Sequence, residues 1–316
     1  MIGYGARRLA LAIPILLGVS IVVFLTIKIV PGDPVAVLLG PGATDLARAE
    51  LTARLGLDQP WPMQYVSWLG HALVGDFGRS TAKQTAVGPL VAAAFANTAV
   101  LAGAAAVIAI VLGLGSGLVG ALKPRGIAGR ITDGFSLVAV SVPQYSIGLV
   151  LIIVFAATLH LLPSGGMTAA IGGGGAGDIA AHLVLPAITA ALVPAGVIAR
   201  VFRGALLEVL SMDFIRSLRA RGFSSTRVVL HAIHNAVPSV LAIAGIQIAS
   251  LLGGVVFVEA VFAWPGIGQL VYQSITQRDL GVIQAGVLIS ALVFVLANLM
   301  VDLIAAAIDP RLRIAA

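Results

Sequence analysis

The chain has 316 residues, a formal net charge of +6 and a mean hydropathy of +1.07, and only 10% of its residues are charged. A soluble domain carries roughly 25% charged residues, so a water-soluble globular enzyme is excluded and the chain reads as an all-α integral membrane protein. It has no cysteine, which removes disulfides and thiolate metal sites.

Arg7-Arg8 precede the apolar run Leu9–Ile27. The run is longer than a signal-peptide core and lacks a small-x-small cleavage site, so it is expected to remain as a first helix. A bilayer needs about 20 mostly apolar residues per span. Six stretches qualify: Leu9–Ile27, Asn97–Leu122, Gly134–Leu159, Leu183–Ala199, Ser239–Val258 and Gly281–Val301. With both termini cytoplasmic, most basic residues fall inside, among them Arg7, Arg8, Lys123, Arg125, Arg130, Arg200 and Arg203. This is the positive-inside distribution, which accounts for the net charge without nucleic acid.

Three sections follow: residues 1–30 as the first helix, 31–92 as an extracytoplasmic segment, and 93–316 as a five-helix core with an inner loop at about 203–238. The outer segment opens on the helix-stopping turn Pro31-Gly32-Asp33-Pro34. Short helices are expected over Asp45–Leu55, with Thr44 or Asp45 as N-cap, and over Gln64–Leu73. Tyr65 and Trp68 are expected in an aromatic belt at the outer interface.

Span two carries Gly113, Gly115, Gly117 and Gly120, a spacing that lets helix backbones approach closely. Intrachain packing is the first reading; a subunit interface or moving gate is the second. Span three holds Ser141-Val142-Pro143-Gln144-Tyr145, a polar, proline-broken patch of the kind tolerated against a cavity or another helix. Ser141, Pro143, Gln144 and Tyr145 are therefore pathway or gate candidates, together with Gln247 in span five. Span four contains Pro186 and Pro194 and is expected to kink.

Ser164–Asp178 is glycine-rich and reads as a flexible outer loop. It is no phosphate cradle, because a P-loop needs Gly-Lys and none of Lys28, Lys83 and Lys123 follows a glycine. H-E-x-x-H and G-x-S-x-G patterns are also missing, which argues against an intramembrane enzyme. The middles of the spans hold almost no charge, against the habit of secondary transporters. Glu259 reads as an outer interfacial anchor and pairing site, or as a contact for an extracytoplasmic binding protein or part of the outer gate, and Asp302 as a partner for inner basic residues. His231 and His234 are read as surface histidines rather than a metal site.

Between spans four and five, Phe214, Leu218 and Arg221 are expected on one helical face, with Arg216 and Arg219 nearby and Gly222 ending the helix as a C′ residue. A second amphipathic piece, Thr226–Ala236, follows. On periodicity alone this segment reads first as an anchor for anionic headgroups. Residue identity adds more. Glu208, then Asp213-Phe214-Ile215-Arg216-Ser217, Arg219-Ala220-Arg221-Gly222-Phe223, His231, Asn235-Ala236 and Pro238 resembles the cytoplasmic signature of binding-protein-dependent ABC importer permeases, in the first-subunit type of the dipeptide/oligopeptide branch. The resemblance runs along nearly the whole chain, through Pro31-Gly32-Asp33-Pro34, Leu55-Gly56-Leu57-Asp58-Gln59-Pro60, Gln64-Tyr65, Trp68-Leu69, Gly75-Asp76-Phe77-Gly78, Ser80, Ser141-Val142-Pro143, Glu259, Val261-Phe262-Ala263-Trp264-Pro265-Gly266-Ile267-Gly268 and Asp309-Pro310-Arg311-Leu312-Arg313.

The resemblance implies a type I ABC importer permease fold with six transmembrane helices in the bacterial cytoplasmic membrane. It implies a second homologous permease subunit, two ATP-binding subunits carrying ATP and Mg, and an extracytoplasmic substrate-binding protein. This chain would hold no cofactor, metal or catalytic residue of its own. Asp213, Phe214, Arg216, Arg219, Arg221, Gly222 and Phe223 would couple to the ATPase, with Phe214 and Phe223 as apolar anchors and the arginines setting register. Glu259 would belong to a gate, and Trp264, Pro265 and Gly266 to an outer contact face. Short peptides are the expected cargo, with nickel complexes, glutathione or haem as alternatives.

Overall fold

A computed structural model describes residues 2–29, 35, 39, 44–54 and 56–308. The turn Pro31-Gly32-Asp33-Pro34 and the Asp309–Arg313 tail, both quoted above, lie outside these residues. Apart from one isolated bridge between Arg79 and Ala86, the described residues form helices and turns. They are α1 (Ile2–Ile29), α2 (Asp45–Arg54), α3 (Trp61–Leu73), α4 (Val87–Leu122), α5 (Ile127–Ser141), α6 (Gln144–Leu151, continued by a π-helical stretch Ile152–Thr158), α7 (Ala176–Ser211), α8 (Asp213–Ala220), α9 (Ser225–Gly254), α10 (Val256–Val261), α11 (Ile267–Thr276) and α12 (Leu280–Ile308). Among the described residues, α4, α7, α9 and α12 are long and apolar enough to cross a bilayer.

Helix α7 is the axis of the bundle, packing against α4, α5, α6 and α9. Its face of Ala187, Ala190, Ala191 and Ala195 is buried, and small side chains there let α4 come close. The glycines of α4 complete that contact. A Cβ on Gly113 would stand 2.7 Å from Ile198 Cγ2, and one on Gly117 2.8 Å from the Ala199 carbonyl. Gly120 meets Thr132 and Arg203 in the same way, whereas Gly115 meets nothing. Three of the four glycines therefore serve packing inside the chain, as expected, and Gly115 does not.

The third span breaks at Pro143, as expected, with α5 and α6 meeting at 108°. Proline disfavours the helical conformation in the residue before it, and Val142 is extended at φ −89°, ψ 131°. The fourth runs unbroken through both prolines and extends beyond Leu183–Ala199 at both ends.

The outer segment folds back on the bundle. Thr44 Oγ1 accepts the Ala47 amide at 3.3 Å, so Thr44 is the N-cap of α2. Tyr65 and Trp68 of α3 pack on the Phe24 ring at 5.5 and 6.0 Å, and the Tyr65 hydroxyl lies 2.7 Å from Ser20 Oγ. These aromatics join α3 to α1. The glycine-rich loop is likewise tied down: Asp178 accepts the amides of Ala169 and Gly174 at 2.9 and 3.1 Å, and the Gly166 amide donates to Phe262 O at 2.8 Å. Near the opposite end of the bundle, Asp302 of α12 pairs with Arg8 of α1, as expected of it.

Candidate functional site

The region expected as a long inner loop is mostly helix. Helix α7 continues to Ser211 and α9 begins at Ser225, so Thr226–Ala236 forms the first turns of α9 rather than a separate piece. Only α8 stands apart between them. Its exit is a full Schellman turn: the Gly222 amide donates to Arg219 O at 3.0 Å and the Phe223 amide to Leu218 O at 3.2 Å. Gly222 sits at φ +77°, a left-handed position where a side chain is strained.

Two residues fasten α8 to the bundle. Ile215 is fully buried among Phe202, Leu206 and Val209 of α7 and Val228 and Ala232 of α9, and Leu218 packs against the same cluster. Leu218 thus faces the bundle with Ile215, three residues earlier, rather than sharing a face with an outward Arg221. Everything else projects. Asp213 and Arg216 have side chains 94% and 79% exposed, with only a 3.4 Å contact between them, and Arg219 and Arg221 are exposed. Phe214 and Phe223 are 37% and 36% exposed, large apolar rings at the surface beside three arginines. Phe223 also meets the His231 ring edge-on at 6.2 Å. A recess of about 390 Å³ lined by Arg227, Leu230, His231 and His234 adjoins the hook. Among the described residues no group of three or more metal-ligating side chains exists, so the two histidines have no third partner for a metal.

The gate candidates differ in their surroundings. Gln144 of α6 donates from Nε2 to the carbonyls of Ala190 and Thr189 at 3.0 and 3.1 Å. Pro194 has no N–H, so the carbonyl four residues before it has no helical donor; that carbonyl is Ala190 O. Gln144 supplies the donor that Pro194 removes from α7. Ser141, Pro143 and Tyr145 are exposed at the α5–α6 bend, and Gln247 is half-buried in the last third of α9.

Glu259 is fully buried. Its Oε1 accepts the Thr98 hydroxyl of α4 at 2.6 Å, and its Oε2 accepts the amides of Gly268 and Gln269 at 2.7 and 3.2 Å. The carboxylate thus caps α11, where the helix dipole favours negative charge. Burial pushes its carboxyl above the ordinary range, opposed by the Thr98 hydroxyl and the Gln269 and Gly268 amides. Thr98 Oγ1 also accepts the Ile267 amide at 2.8 Å. Gly266 is required because a Cβ there would stand 2.1 Å from Glu259 Oε1. Glu259 therefore fixes the outer turn from inside and is not a surface anchor. Of the outer-face candidates, Trp264 is fully buried, donating from Nε1 to Asn97 O at 2.9 Å, whereas Pro265 and Gly266 border a groove. The sequence reading missed Thr98, Ile215 and the buried pair Ser80–Asp279, in which Ser80 donates to Asp279 at the head of α12. Of these, Ile215 had a local signal, its i, i+3 spacing to Leu218.

Residues 109–314 match the family described as binding-protein-dependent transport system inner membrane component, and residues 1–109 match its N-terminal membrane-component family. The chain is 36% identical to the oligopeptide transport system permease protein AppB of Bacillus subtilis, over 99% of this chain and 100% of that one. It is 37% identical to the glutathione transport system permease protein GsiC of Salmonella choleraesuis, over 99% of each chain. With the di/tripeptide transport system permease protein DppB of Pseudomonas aeruginosa it shares 36%, again over 99% of each. A solved structure of the MetNI methionine ABC transporter in an inward-facing conformation aligns with a TM-score of 0.53 at 21% identity, covering 70% of this chain and 96% of that one. That likeness shows the fold.

Proposed function

The chain belongs to the family of binding-protein-dependent transport system inner membrane components, and from that premise we propose that it is the membrane-spanning permease of an ATP-driven importer of short peptides. It is an inner-membrane, multi-pass protein. In this reading six helices cross the bilayer: α1, α4, the bent α5–α6 pair, α7, α9 and α12, with both termini inside. The chain carries no ATPase site. ATP and Mg belong to two ATP-binding subunits, a second permease completes the passage, and an extracytoplasmic binding protein delivers the cargo.

The observation that carries the coupling role is the hook α8. It is held by Ile215, at full burial, and by Leu218, is ended by a left-handed glycine, and presents Asp213, Phe214, Arg216, Arg219, Arg221 and Phe223 outward. A protruding helix with two apolar rings and three guanidinium groups suits a cleft with apolar walls and carboxylates, where charge sets register more than affinity. Closure of the motor pair on ATP would pull α8. Because Ile215 seats α8 against both α7 and α9, that pull reaches the axis of the bundle and rocks it as a body.

Co-expression with the ATPase and binding-protein subunits tests this. Gly222→Trp, or the triple change Arg216→Glu, Arg219→Glu and Arg221→Glu, is expected to abolish peptide uptake and ATPase co-purification while the protein stays in the membrane. Full co-purification with persisting uptake would refute the coupling assignment. Glutathione, itself a small peptide, is the second reading, resting on the relative named for it; competition between glutathione and tripeptides for uptake separates the two.

A further inference from the structure

The outer end of the bundle contains a groove of about 540 Å³ between the start of α4 and the turn into α11. That volume lies within the roughly 300–1,000 Å³ of small-ligand sites. Its walls are small and apolar, with Leu90 and Ala93 among them. Its polar side chains are the carboxamides of Asn97, Gln269 and Gln273 and the hydroxyl of Thr85, with the ammonium of Lys83 as the one charge among the lining residues. Carboxamides offer both a donor and an acceptor, the pair that a peptide backbone presents whatever its side chains.

The frame around these groups is rigid. Asn97 Nδ2 donates to Pro265 O, and Asn97 O accepts Trp264 Nε1, both at 2.9 Å. The Gln269 backbone is held by Glu259. The Gln269 side chain is not held: its Oε1 is buried without a hydrogen-bond partner, so the carboxamide gains by turning towards a ligand that can pair with it.

We propose that this groove is an outer subsite for short peptides on the permease itself. Backbone amides of the cargo pair with Asn97, Gln269 and Gln273, and its terminal carboxylate meets Lys83. The small apolar walls leave cargo side chains unselected. A lipid acyl chain, the competing occupant for an apolar groove, has nothing to offer three carboxamides and a cation. The inference rests on the peptide-importer reading above and locates where that cargo first touches this chain.

The test is uptake by the complete importer in proteoliposomes, comparing a tripeptide with its C-terminally amidated form. Wild type is expected to prefer the free acid, and Lys83→Ala to shrink that preference by roughly threefold, the scale of an exposed ion pair. Ala93→Trp fills the groove and is expected to stop uptake while ATPase subunits still co-purify as a folding control. Acid and amide responding equally to Lys83→Ala, or undiminished uptake by Ala93→Trp, overturns the subsite. A photoreactive tripeptide is expected to label residues of the groove; labelling confined to other parts of the importer overturns it too. If the wild-type importer moves no peptide at all, the cargo reading fails and the subsite falls with it, a result distinct from normal peptide uptake that ignores the groove.

Discussion

Replacing Glu259 tests whether the outer turn is held from inside by one carboxylate. Three donors converge on it, from Thr98, Gly268 and Gln269. In Glu259→Leu the Thr98 hydroxyl has a fallback, since it also lies 3.2 Å from Ala94 O. The two amides have none. An orphaned buried amide costs about 1–3 kcal/mol, and with the Gln269 amide only part-buried the loss comes to about 3 kcal/mol. Glu259→Gln differs, because its Oε1 still accepts both amides while its Nε2 donates to Thr98 Oγ1, so the cost stays within about 1 kcal/mol. At about 1.5 °C per kcal/mol for a chain of this length, the leucine variant melts roughly 4–5 °C lower and the glutamine variant about 1.5 °C lower or less. Size-exclusion after heating purified permease in detergent reads this difference. Equal losses for the two variants, or none for leucine, would show that the cap does not hold the turn.

The remaining contacts make sharper contrasts than single deletions. Gln144→Leu leaves Ala190 O unpaired and is expected to cost about 1–2 kcal/mol, but in a Pro194→Ala background residue 194 regains its N–H and the same change becomes nearly neutral; an additive double-mutant cycle in thermal stability refutes that role. Gly115→Ala is expected to be neutral or slightly stabilising in α4, whereas Gly117→Ala is destabilising because its Cβ meets Ala199 O, as read by melting of the two variants side by side. Ile215→Ala is expected to cost about 2–4 kcal/mol of local packing and to loosen α8. Trypsin then cuts at Arg216, Arg219 or Arg221 faster than in wild type while cleavage elsewhere is unchanged.

The features readable in advance are those with short range. Hydropathy located α4, α7, α9 and α12, and Gly222 announced the end of α8 because a C′ glycine needs only its own four preceding residues. Pro143 marked the break in the third apolar stretch, but not its 108° angle, which depends on what α5 and α6 pack against. The same limit explains the inner loop. Arg200, Arg203 and Glu208 are polar enough to suggest a loop, yet a helix already running has its backbone hydrogen bonds in place, so α7 carries them on to Ser211 at little cost.

The site is harder to read than the fold, because its decisive contacts join residues far apart in the chain. Glu259 was visible as a lone acid near the outer end of a span, and position alone suggested a surface anchor. Its partner Thr98 lies 161 residues away, and Ser80 and Asp279 are separated by 199; no periodicity links either pair. Gln144 is the most instructive residue. A polar side chain inside an apolar stretch fits a cavity or another helix, and Gln144 takes the second place, meeting the demand of a proline on α7. In lipid every backbone carbonyl must find a donor, so a proline buried in one span calls for an amide on a neighbour. Proline and glutamine in separate apolar stretches are thus a pairing signal in principle, one that becomes legible only when the packing of α6 on α7 is known.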